Sequence, residues 1–220
     1  MKRLGLLVAL VLVAVVAQGQ VKFGAGVQAG FSFASAAEPA DKVYGFGYGF
    51  GAHGDVSISK YFSARLNFDY HIFGADEDEI AKLGWSYNGA AIENISSEGG
   101  TVTIIGIMAS AIGKLPLGGA VTPYAIAGLG YGIMNTSDLT IRGVVGNQPL
   151  EGTIETEGES GFSLNFGAGA EFAISKNVSL YGEVRYVLML ISEETDPQTG
   201  AKSGGNSSHL PIMFGMTYWF

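Results

Sequence analysis

Beyond an apolar opening run, large apolar residues alternate with small or polar ones at a period of two, the signature of strands that present two different faces. In the first such stretch Phe23, Ala25, Val27, Ala29, Phe31 and Phe33 are apolar, while Gly24, Gly26, Gln28, Gly30 and Ser32 are small or polar. The rhythm recurs down the chain and predicts eight strands, over 23–33, 44–58, 62–72, 101–114, 123–145, 150–174, 178–191 and 209–220. The sixth is the clearest, with Phe162, Leu164, Phe166, Ala168, Ala170 and Phe172 opposed to Ser163, Asn165, Gly167, Gly169 and Glu171. Only 101–114 gives no phase, because Ile104, Ile105, Ile107, Met108 and Ile112 fall on both faces.

Connections between these strands alternate short and long. Ser59-Lys60, 115–122 and 175–177 are tight, whereas 35–43, 74–100, the segment around 146–149 and 192–208 are polar. Short turns at one end and long loops at the other fit an antiparallel barrel that crosses a membrane. Around Gly146-Asn147-Gln148-Pro149 the alternation continues on both sides, which predicts a hairpin projecting beyond the barrel. The first residues, Met1-Lys2-Arg3, an apolar run from Leu4 to Ala17, and then Gln18-Gly19, form a cleavable export signal. That divides the chain into a signal peptide at 1–19 and one barrel domain at 20–220.

Composition decides between water and lipid as the barrel's solvent. Hydrophobic residues make up 47%, which excludes disorder despite 34 glycines, and the absence of cysteine excludes a disulfide framework. In a soluble sandwich the polar face would carry Lys and Glu. Here it is largely glycine and serine, which suits the narrow lumen of a small barrel and leaves the aromatic face for lipid. Sixteen of the 20 acidic residues fall in the long connections, and the other four, Asp55, Asp69, Glu171 and Glu183, take lumen positions. The fold class is therefore an all-β, closed, antiparallel, eight-stranded, up-and-down transmembrane barrel.

The terminal Phe214-Gly215-Met216-Thr217-Tyr218-Trp219-Phe220, with 123–132 and 180–186, resembles the outer-membrane protein β-barrel domain family, the small barrels typified by outer membrane proteins A and X. The resemblance covers the whole mature chain. It implies a bacterial outer-membrane location among phospholipid and lipopolysaccharide. It also implies that Tyr218 and Phe220 present the C-terminal assembly signal to the barrel assembly machinery. Fold of this kind does not fix activity.

Candidate chemistry is confined to the lumen. Arg65, Asp69, Glu171, Glu183 and Arg185, with His53, Asp55 and His71, could form an acid–base site, but buried charges pair by default and a structural ion network is the expectation. Glu171 is expected beside Glu183 and Arg185. Neither His53 nor His71 has a serine two residues away on a strand, as a lipid-modifying barrel enzyme would suggest, and Ser207, two before His209, falls in the expected loop 192–208, so no catalytic residues are assigned. Gly49-Phe50-Gly51-Ala52-His53-Gly54 matches a dinucleotide-binding spacing but sits mid-strand, where no helix can open. Asp76-Glu77-Asp78-Glu79 lacks the spacing of a calcium loop, so no metal or cofactor is assigned. The acidic loops exclude nucleic acid as a partner. A structural or surface-interaction role is expected, with passive passage of small solutes as the alternative.

Overall fold

Each stretch of alternating residues becomes a strand because only pairing to neighbours satisfies its backbone in hydrocarbon, and closure removes the last free edge. The computed structural model describes residues 21–35, 40–156, 158–192, 194–195, 202–203 and 205–220. The expected signal peptide at 1–19 lies outside the described residues, as do the acidic loop residues Glu38, Glu157, Glu193 and Asp196. Eight strands close the barrel: β1 (Lys22–Ala34), β2 (Phe46–Ser59), β3 (Phe62–Phe73), β4 (Val102–Lys114), β5 (Val121–Thr136), β6 (Glu159–Ala173), β7 (Val178–Leu190) and β8 (Ser207–Trp219). Each strand pairs antiparallel with its sequence neighbours, and β1 pairs with β8, from Gly24 opposite Trp219 to Ala34 opposite His209. The shortest of them, β3, has 12 residues, enough for the 9–11 or so that a tilted membrane strand needs.

The two faces separate as the alternation requires. Phe31, Tyr48, Phe68, Leu129, Phe166 and Phe214 stand exposed on the outer wall, while Gln28, Ser63, Asn67, Ser163 and Thr217 are buried in the bore. The structure fixes the phase of β4: Ile104, Met108 and Ile112 face inward and are buried. One sector of the lumen is therefore apolar, and Ile112 packs with Ile126, Tyr124 and Tyr181.

Three features differ from the sequence expectation, all at the long-loop end. The stretches 123–145 and 150–174 are not single strands. Each breaks near Ser137-Asp138 or Thr156, and the outer parts, Leu139–Val145 and Gln148–Ile154, form the projecting hairpin expected around 146–149 as an element separate from the barrel sheet. Gly146, at φ +63°, occupies the first position of its two-residue turn, where a non-glycine residue would be strained. The second difference is that connection 74–100 supplies a third strand, Glu93–Gly99, to that hairpin, giving an extramembrane sheet of three strands. Finally, short helices form at Ala40–Val43 and Glu77–Lys82, the latter capped by the Asp76 carboxylate accepting from the Glu79 amide.

Candidate functional site

Glycine columns leave room in the bore, and the few large polar residues standing among them meet there. Arg65 on β3 donates from Nε and Nη2 to both oxygens of Asp55 on β2, at 2.7 and 3.0 Å, a bidentate pair. Its Nη1 reaches across to Glu183 Oε2 on β7 at 3.3 Å. Arg185, also on β7, lies 3.1 Å from Glu183 Oε1 and donates to Asp69 Oδ2 on β3 at 3.0 Å. Two guanidiniums thus bind three carboxylates. The surplus negative charge is met by neutral donors: Tyr124 donates to Glu183 at 2.7 Å, and the Gln28 amide donates to Asp69.

From Gln28 the network runs on to the far wall. Tyr181 donates to Gln28 Oε1 at 2.7 Å and sits 3.2 Å from His53 Nδ1, while His53 Nε2 lies 3.0 Å from Thr217 Oγ1. Arg65 also stacks over the Tyr181 ring, 4.6 Å from its centroid. Arg185 is 1% exposed and Glu183 2%, so these charges form a buried septum from wall to wall and not a solvated lining. Bringing two opposite charges into such a place is costly unless every group is paired.

Of the five lumen charges expected to associate, four do: Arg65, Asp69, Glu183 and Arg185. Glu171 does not join them. It lies opposite Tyr181, toward the short-turn end, and accepts from Lys114 Nζ across the bore at 2.6 Å. The expectation of Glu171 beside Glu183 and Arg185 is corrected accordingly: sequence phase gives the face, but the height along the bore and the lysine two strands away decide the partner. Gln28, Tyr124 and Tyr181 are members that the sequence reading passed over. Their signal was size, since each is a large side chain flanked or faced by glycine; a Cβ at Gly215 would collide with the Tyr181 hydroxyl.

On the long-loop side of the septum, Ser32 Oγ lies 2.7 Å from His71 Nδ1, and the rings of His71 and His209 are 4.9 Å apart. Above them is a chamber of about 200 Å³ lined by Tyr44, Phe73, Val102, Ile104, Met134 and His209 among others. Its continuation toward Asp69 shrinks to about 20 Å³. That is space for about one water molecule. Among the described residues no group of three or more metal-binding side chains exists. Tyr218 and Phe220 lie at the short-turn end with their rings 5.3 Å apart and exposed.

The sequence profile of the outer membrane protein beta-barrel domain matches residues 4–207. By sequence alone, no curated protein matches significantly. Among solved structures, the chain is similar to a major outer membrane protein from Thermus thermophilus, at 16% identity and a TM-score of 0.51, covering 91% of this chain and 99% of that one. It is also similar to Neisserial surface protein A, at 16% identity and a TM-score of 0.50 over 90% and 97% of the two chains. A third likeness is to outer membrane protein AlkL, at 12% identity and a TM-score of 0.50 over 91% and 90%. At these identities the likeness is one of fold.

Proposed function

This chain belongs to the outer membrane protein β-barrel domain family, and from that premise we propose that it is a closed, non-conducting barrel holding a folded sheet at the surface of the bacterial outer membrane. The observation that supports this reading is the Arg65–Glu183–Arg185 septum, whose ion pairs span the bore from β3 to β7. A hydrated ion would have to break them, and each stranded charge would then stand in a poorly solvated bore. The cell-surface side of the proposal rests on the three-stranded sheet, which carries its charged residues outward and leaves the backbone edge of Gln148–Ile154 open to a partner strand.

Export through the 1–19 signal, assembly through Tyr218 and Phe220, and an environment of phospholipid and lipopolysaccharide belong to the same reading. An enzymatic role is not part of it. A lipid-modifying enzyme would need histidine on the lipid face, whereas His53, His71 and His209 are all buried in the bore. Ser32 and His71 are hydrogen-bonded but 0% and 2% exposed, and the space beside His71 is only about 20 Å³; Ser207, expected in a loop, lies on β8 with His209, but its hydroxyl donates to the Met134 sulfur at 3.9 Å.

Passage of small solutes remains the second reading because of the 200 Å³ chamber above the septum. The two readings separate in a liposome-swelling assay with the refolded barrel and sugars of increasing size. A sealed barrel gives swelling no faster than protein-free liposomes; size-dependent swelling would sink the structural reading and favour transport.

A further inference from the structure

At the opposite end of the bore the chemistry reverses. A pocket of about 220 Å³ opens at the short-turn mouth, lined by Lys22, Lys114, Lys176, Glu171 and Trp219 among others. That volume is worth about seven water molecules at roughly 30 Å³ each. Lys22, Lys114, Glu171 and Trp219 take lumen-facing positions on β1, β4, β6 and β8, and Lys176 comes from the β6–β7 turn. Three ammonium groups and one carboxylate leave two positive charges in a chain whose formal net charge is −8.

The pocket is also prearranged. Glu171 holds Lys114 Nζ at 2.6 Å, and the same ammonium lies 5.2 Å from the Trp219 ring centroid. Trp219 is itself fixed, its Nε1 donating to Ser179 Oγ at 3.0 Å and its carbonyl accepting from Asn177 Nδ2 at 2.7 Å. Among the described residues no carboxylate pairs with Lys22 or Lys176, so two of the three ammonium groups face the pocket uncompensated. Compact, strongly hydrated ammonium groups on flexible stems suit a phosphate, approached as point charges.

We propose that this mouth is a binding site for a phosphate-bearing anion, gripped by Lys22 and Lys176 with Lys114 at its back. The phosphate has two sources: a soluble phosphomonoester of the periplasm, or the headgroup of a phospholipid in the adjoining leaflet. Both present the same group to the same lysines.

The mature barrel, residues 20–220, refolded in phosphatidylcholine nanodiscs, tests the soluble source by calorimetric titration with glycerol 3-phosphate. The lipid source is tested by native mass spectrometry of phosphatidylglycerol retained from mixed phosphatidylglycerol and phosphatidylcholine. The variant is Lys22→Gln with Lys176→Gln, both exposed and outside the septum, with a heat-dependent gel shift to verify folding. Removing each lysine is expected to weaken the anion about fivefold, and removing both on the order of 25-fold. Lysine-dependent binding of glycerol 3-phosphate assigns the soluble source. Lysine-dependent retention of phosphatidylglycerol alone assigns the headgroup. Absence of both, or binding that the double variant leaves unchanged, overturns the proposal.

Discussion

Three arginines in this protein each bridge two carboxylates, and they differ in almost everything that follows from it. Arg65 joins Asp55 to Glu183, and Arg185 joins Asp69 to Glu183, with side chains 5% and 1% accessible. Arg142, in the extramembrane sheet, joins Glu98 at 2.9 Å to Glu151 at 3.2 Å with a side chain 49% accessible. Its hydrogen bonds to Glu98 and then Glu151 hold its guanidinium pKa above the ordinary value, yet water screens all three partners. In the bore there is no such relief, and each charge depends on its neighbours. The same pairing motif therefore ties opposite walls of a barrel together in one place and joins strands of a surface sheet in the other.

The comparison breaks most visibly at Arg185. Arg185→Met leaves Asp69 without a guanidinium and Glu183 with Arg65 and Tyr124 alone, and is expected to cost about 3–5 kcal/mol, read as a lower urea midpoint for unfolding from lipid vesicles. Adding Asp69→Leu removes one stranded charge and should recover a large part of that loss; no recovery would mean that the pair is not coupled. On the outer wall, Phe68 lies mid-strand and exposed, and Phe68→Arg is expected to cost about 2–4 kcal/mol in the same assay. A wild-type midpoint for that variant would place Phe68 away from lipid.

Smaller again is Gly215→Ala, which pushes Tyr181 off Gln28 and His53 and should cost about 1–3 kcal/mol as an overpacked position. Arg142→Ala should leave the unfolding midpoint unchanged and only speed proteolysis within the hairpin of Leu139–Val145 and Gln148–Ile154. A large loss of barrel stability in that variant would erase the distinction between the two kinds of bridge.

The barrel wall was legible in the sequence because a period of two, recurring in every strand but β4 with large apolar residues on one face and small or polar ones on the other, has few other physical solutions. Where alternation continued but the environment changed, it misled. The projecting hairpin around Gly146 was legible, but Leu139–Val145 alternates as well as β5 does, so the pattern does not mark the point of exit from the barrel, beyond which Glu93–Gly99 from another loop pairs with it. Strand β4 defied phase assignment because its lumen face carries Ile104, Met108 and Ile112, the apolar sector of an otherwise polar bore. Membership of the septum was legible for Arg65, Asp69, Glu183 and Arg185 from charge on lumen positions. Glu171 shares their face but not their height, and its partner Lys114 lies at the short-turn mouth.

Single-channel recording of the folded barrel, residues 20–220, in planar bilayers tests the sealed bore most directly. The septum predicts silence from wild-type protein and openings once Arg65→Ala and Arg185→Ala are combined in a barrel that still shows its heat-dependent gel shift. Steady openings from the wild-type barrel would contradict it.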